Sequence, residues 1–247
     1  MASTLEHLLA SPIPPTKYHA YPVIPVKGIV IIGAQSKSYK SFLAMNIAYD
    51  LADGKSVLGA WAVEKPKSVL MIEQELGEYR LRDRLAGIHG YRASAIAAMN
   101  FFYASKDLIC KFDNPPGLQR IEEHIQSCKP DVVIYDPLVW FHSKDENDNS
   151  QMQRVMEKII GLQEQYGHSS IIVHHMSKPG ETRAGDDANS LRGASSVFGA
   201  VDSVITIQKP VPADETIIRL KFVLRNTENP PPMTLQLDSK TLTFNRR

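Results

Sequence analysis

Cysteine is nearly absent: the 247 residues contain two, Cys110 and Cys128, with no CxxC spacing. A disulfide framework and a structural zinc site are therefore excluded, and the pair reads as small apolar residues of a reducing compartment. No apolar run approaches the roughly 18 residues of a membrane span. The opening residues, MASTLEHLLASPIPP, carry an early acid and lack the basic start and long apolar stretch of a signal peptide. The expectation is a cytoplasmic protein with no membrane partner. Excess charge is lacking too: 28 basic and 27 acidic residues give a net charge of +1. That balance neither predicts nor forbids nucleic-acid binding, because a groove can be basic while the whole is neutral. There is no internal repeat and no low-complexity tail.

What is present is an ordinary globular composition, 43% hydrophobic and 22% charged, long enough to bury a core without staples. Residues 4–10 can form a short helix, and a proline-rich arm runs from Pro12 to Pro25. Proline bars such an arm from a central sheet but lets it lie on a neighbour's surface. Short apolar runs then alternate with helical patterns. GIVIIG (28–33), SVLMIE (68–73), NFFYAS (100–105), DVVIYD (131–136) and SSIIVHH (169–175) read as strands. Helices are expected at about 40–54, 77–89, 117–127 and 150–166. Alternation of this kind implies a mostly parallel sheet with helices on both faces. After residue 200 the chain reads SVITIQK, TIIRLKFVLR, MTLQLD and TLTFN, short strands that extend the same sheet in antiparallel fashion. The predicted organisation is an N-terminal helix and arm over residues 1–26 and one α/β domain over residues 27–247.

The segment GAQSKSYKS (33–41) lies between a buried strand and a helix. A phosphate loop needs inward backbone N–H groups, a lysine for the outer phosphates, a hydroxyl for Mg²⁺ and a helix N-terminus. Lys40 and Ser41 fill the last positions, and Gly33, Ala34, Ser36, Lys37, Ser38 and Tyr39 form the candidate loop. The usual spacing GxxxxGK(S/T) is not met. Ala34 and Tyr39 stand where glycines are expected, and Gly33 sits one residue early. Asp136 ends an apolar strand as a Walker B aspartate does, a second candidate ligand for Mg²⁺ beside Ser41. Glu73 and Glu75 end another strand, where a carboxylate can polarise an attacking water. These features share the carboxyl ends of strands, where open α/β sheets bind ligands. His174 and His175 point to opposite faces of their strand, so one imidazole can face the phosphates; His175 is favoured. Arg80, Arg82 and Arg84 share a helix with Glu78 and Asp83 and read as solvated ion pairs. Trp61 and Trp140 read as packing residues.

Across residues 28 to about 208 the chain resembles the RepA-like family of RecA-fold ATPases, which contains hexameric replicative helicases of plasmids and phages. The matching stretches are SYKSFLAMNIA, VLMIEQELGEYRLRDRL, VVIYDPLVWFHSKDENDNSQM, IIVHHMSK and LRGASSVFGAVDSVITI, with a weaker match in FVLRNTENPPPMTLQLD. The resemblance implies a RecA-like P-loop NTPase core that uses ATP and Mg²⁺. It implies Glu75 as the catalytic glutamate, with Glu73 a spare, and it tolerates SYKS in place of SGKS. It implies that Arg225 is inserted into a neighbour's ATP site, although the lysine two residues earlier in the related hexamers is Val223 here. The implied function is an ATP-driven helicase or translocase on single-stranded DNA, working as a homo-oligomeric ring, expected to be a hexamer. A RecA-type recombination mediator and a non-hydrolysing, ATP-gated regulatory protein are the alternatives. The segment from Met176 to Arg192 is expected to form a DNA-facing loop, with Lys178, Arg183 and Arg192 as phosphate contacts.

Overall fold

The computed structural model describes residues 4–10, 15–106, 110–175, 197, 199–211 and 213–247. Helix α1 (Leu5–Ala10) is followed by a two-stranded antiparallel hairpin, β1 (Tyr18–Ala20) and β2 (Ile24–Pro25). The body then runs β3 (Ile29–Ala34), α2 (Lys40–Asp53), β4 (Val69–Glu73), α3 (Glu78–Arg92), α4 (Ala95–Asn100), β5 (Phe101–Ala104), α5 (Pro115–Cys128), β6 (Val132–Asp136), α6 (Asn149–Tyr166) and β7 (Ser169–His175). It closes with β8 (Ser203–Gln208), β9 (Ile217–Leu224), β10 (Met233–Asp238) and β11 (Thr243–Arg246).

One nine-stranded sheet in the order β11-β10-β9-β8-β3-β7-β6-β4-β5 carries the fold. The strands from β8 to β5 are parallel, while β9, β10 and β11 pair antiparallel at the far edge. This is the expected α/β architecture, with its antiparallel extension on the same sheet. Strand β3 is buried along its whole length, as a central parallel strand with both faces covered must be. The two faces bury separate cores. On one, Leu43, Ile47 and Leu51 of α2 pack with Leu81 and Ile88 of α3 and Ala97 of α4. On the other, Ile121 and Ile125 of α5 pack with Met152, Val155 and Ile159 of α6. There Tyr135 meets Phe112 and Phe141 edge-on at centroid distances of 5.3 and 5.4 Å, and Phe112 stacks on Phe141 at 5.6 Å.

Local chemistry sets the helix ends. Helix α2 stops at Gly54, whose φ of 70° is left-handed and whose N–H reaches the carbonyls of Asp50 and Leu51. A Cβ at Gly54 would stand 2.8 Å from the Pro66 ring, so both conformation and space demand glycine there. The polar stretch at 143–150 hides the cap of α6: the Asp148 carboxylate accepts from the N–H groups of Ser150 and Gln151. Two elements were not foreseen. Helix α4 is only six residues long and opens on Ser94, whose hydroxyl accepts from Ala97 N–H. The arm forms the β1–β2 hairpin against its own body, where Ala20, Val23 and Ile24 are fully buried. His19 Nε2 lies 3.0 Å from Ser169 Oγ and fixes the hairpin to β7.

Two packing expectations divide. Trp61 is buried and meets Phe222 edge-on at 5.1 Å. Trp140, on a single 3₁₀ turn (Leu138–Trp140), is 52% exposed and so is not a core residue. The Met176–Arg192 segment, with Lys178, Arg183 and Arg192, lies outside the described residues.

Candidate functional site

The parallel strands place their carboxyl ends along one edge, and the candidate residues gather there. Gly33 and Ala34 are the buried last residues of β3. Gln35, Ser36 and Lys37 are exposed, and the chain turns back through Ser38 and Tyr39 into α2. Lys37 and Tyr39, on either side of Ser38, hold φ of 60° and 62°. Left-handed residues of this kind turn successive N–H groups toward one concave surface, a geometry suited to anions. Each costs a non-glycine residue about 1 kcal/mol or more, so the loop is held by its surroundings. Tyr39 is the N-cap of α2 but offers no side-chain cap, leaving the first N–H groups of that helix to a ligand or water.

Lys40 is 6% exposed, and its Nζ donates to the Gln35 carbonyl at 2.7 Å across the loop. Burial lowers its pKa to about 8, against the opposing pull of Asp136 and Glu75. The next residue, Ser41, donates its hydroxyl to Asp136 Oδ1 at 3.1 Å. Asp136 is fully buried at the end of β6, and its Oδ2 has no hydrogen-bond partner among the described residues. Burial pushes this carboxyl up to about 7; the Ser41 hydrogen bond works the other way. A buried carboxylate oxygen without a donor, beside a serine hydroxyl, is a donor set that suits a hard divalent cation such as Mg²⁺.

Strand β4 pairs Glu73 with Asp136, yet the two glutamates of this strand end differ sharply. Glu73 is 1% exposed, and its carboxylate accepts from the N–H groups of Glu75 and Leu76 at 2.8 Å. It is committed to folding the turn after β4. Glu75 is exposed and keeps its carboxylate at the open edge, near enough to Lys40 and Asp136 to influence both.

The histidines separate as strand alternation requires. His174 is fully buried with Nδ1 3.7 Å from Glu146 Oε1, whereas His175 is half-buried and pairs with Ala34 at the start of the loop. Arg225 lies elsewhere. It follows Leu224, which opposes Ser203 in β8, and Ser203 opposes Val30 near the start of β3. Arg225 is therefore at the amino edge of the sheet, exposed, with one guanidinium nitrogen on the Gly199 carbonyl. Strand rise alone separates it from its own loop by more than about 13 Å.

The arginines of α3 were misread from the sequence. Among the described residues, no ion pair joins Arg80, Arg82 or Arg84 to Glu78 or Asp83. Arg84 is half-buried, with its guanidinium 4.4 Å from the Phe42 ring centroid. It is disfavoured as a cation by burial, and the carboxylates of Asp136, Glu73 and Glu75 act against that. It faces the site rather than solvent, which charge spacing along one helix could not reveal.

Against known proteins, a family profile described as an AAA domain matches residues 1–181. No curated protein matches the sequence. Among solved structures, a DnaB-like replicative helicase, described with its interactions with primase, superposes with a TM-score of 0.66 at 14% identity. The alignment covers 88% of this chain and 57% of that one, so the present chain spans little more than half of the helicase. A second structure, described as an ATPase domain, gives the same TM-score of 0.66 and 14% identity over 88% of this chain and 84% of its own. At this identity the likeness establishes the fold alone: the mostly parallel α/β sheet with its antiparallel edge. No described helix is long and apolar enough to cross a membrane.

Proposed function

The chain belongs to the AAA domain family, and we propose that it is an ATP-hydrolysing, RecA-like motor of the ring-forming replicative type, moving on single-stranded DNA. The observation that carries this reading is the Ser41–Asp136 hydrogen bond of 3.1 Å, which closes the Lys40 loop onto a buried strand-end carboxylate with an oxygen to spare. A serine, an aspartate and a lysine converge this way to hold a polyphosphate and its cation.

Loop N–H groups from Ala34 to Ser41 and the Lys40 ammonium hold the phosphates, and Ser41 with Asp136 holds Mg²⁺. A Mg²⁺ held there with the nucleotide would supply charge neutralisation at the transferring phosphoryl group. Glu75 orients and polarises the attacking water. His175, beside the loop, reads the outer phosphate. Arg225 serves the site of a neighbouring copy, which its position at the amino edge supports.

The test is the ATPase rate with and without single-stranded DNA, together with the mass in solution. DNA-stimulated turnover by a particle of about six chains is expected. Nucleotide binding without turnover would favour a gated regulatory protein instead, and DNA-dependent filaments a recombination mediator.

A further inference from the structure

A basic residue that no motif predicted stands at the rim of the phosphate loop. Strand β8 lies directly beside β3 and runs parallel to it, with Thr206 opposite Gly33. Lys209, one residue past the end of β8, therefore emerges at the same edge as the loop. Its Nζ lies 4.9 Å from the centroid of the Tyr39 ring, within cation–π range. That ring meets Phe42 at 6.0 Å and 63°, and Arg84 covers Phe42. Two cations thus flank the loop, each seated on an aromatic ring from the turn that begins α2. Lys209 also pairs with Glu215 at 3.0 Å, but that glutamate side chain is 74% exposed. An exposed pair contributes about 0–1 kcal/mol, so the ammonium is easily exchanged to a better anion.

The sheet order decides which part of a nucleotide Lys209 would meet. Ser41 and Asp136, the cation-holding pair, lie toward β6, on the β7 side of the loop. A nucleotide whose cation was held by Ser41 and Asp136 would keep its outer phosphates on that side. Lys209 is on the opposite side of β3, where the α-phosphate and nucleoside of such a nucleotide would emerge. We propose that Lys209 is a second phosphate-binding cation, acting within the same chain on the α-phosphate end of the nucleotide, and that Tyr39 is the positioning residue that seats it. The proposal rests on the reading of residues 33–41 as a nucleotide-binding loop. It gives a physical reason for a tyrosine at a left-handed position usually held by glycine: the strain of φ 62° is accepted because the ring is needed.

The experiment is calorimetric titration of the full chain with Mg²⁺–ADP and with a Mg²⁺-bound, non-hydrolysable ATP analogue, alongside melting of each nucleotide-free variant. Lys209→Met should weaken both nucleotides equally, by about tenfold, the worth of a charge-assisted hydrogen bond. Lys209→Arg should restore most of the loss. Tyr39→Gly should weaken binding although it relieves the backbone, and adding Lys209→Met to it should cost little more. Glu215→Gln should keep or tighten binding by releasing the lysine. If the Lys209–Glu215 pair were only structural, Lys209→Met and Glu215→Gln would lower the melting temperature alike and leave affinity unchanged. That result overturns the proposal, as does a loss confined to the ATP analogue. A parent chain that binds neither nucleotide would overturn the loop reading itself, whereas binding by the parent with Lys209→Met unaffected removes Lys209 alone.

Discussion

Glu75→Gln is expected to bind Mg²⁺–ATP as tightly as the parent chain and to hydrolyse it about 10²–10⁴-fold more slowly, the range that a positioned general base contributes. The amide keeps the size of the side chain but cannot take a proton from water or polarise it as a carboxylate does. The structure sharpens the choice between the two glutamates. Glu73 already accepts two backbone N–H groups and is buried, so its carboxylate is occupied with holding the turn. Glu73→Gln should loosen that turn and lower stability, with a smaller effect on turnover. Single-turnover hydrolysis of both variants, with affinity measured in parallel, checks the assignment. A larger rate loss in Glu73→Gln than in Glu75→Gln would shift the catalytic position by two residues.

Arg225→Ala should lower the hydrolysis rate by about 10³–10⁵-fold, the worth of an arginine that offsets charge in a phosphoryl-transfer transition state. The arginine cannot serve its own site, because Leu224 is registered through Ser203 onto Val30, at the opposite end of β3 from the loop. Its guanidinium instead stands exposed at the amino edge, tethered to the Gly199 carbonyl. An assembly that juxtaposes that edge with a neighbour's carboxyl edge would complete the proposed site. Mixing Arg225→Ala chains with Lys40→Ala chains should then recover measurable activity, since some interfaces pair an intact loop with an intact arginine. Mixed assemblies of verified composition that remain inactive would contradict action between chains.

The fold was legible because its signals are local and repeated. Buried strands such as 29–34 and 132–136 are continuous apolar runs, and α2 is bracketed by a loop and a Gly54 cap. Asp136 and Lys40 stood out because strand ends are where such sheets bind ligands. Other features were hidden for physical reasons. Helix α4 is too short to develop an amphipathic period, and its Ser94 cap is one polar residue among several. The hairpin at 18–25 is stabilised by Ser169, nearly 150 residues away in the chain, which no local pattern encodes. The positions of Lys209 and Arg84 beside the loop depend on sheet order and on the aromatic pair Tyr39 and Phe42, so neither had a signal in its own segment. Trp140 was misjudged because aromatic character alone does not say which side of a turn faces solvent.

Titration of the parent chain and of Lys40→Ala with ATP, in the presence and absence of Mg²⁺, tests the central claim most directly. The account predicts Mg²⁺-dependent binding at one site per chain in the parent. It predicts a loss on the order of 100-fold or more in Lys40→Ala, since a buried cation that contacts phosphate is removed, with the melting temperature of the nucleotide-free protein little changed. ATP affinity that survives Lys40→Ala undiminished would contradict the assignment of the 33–41 loop as the nucleotide site.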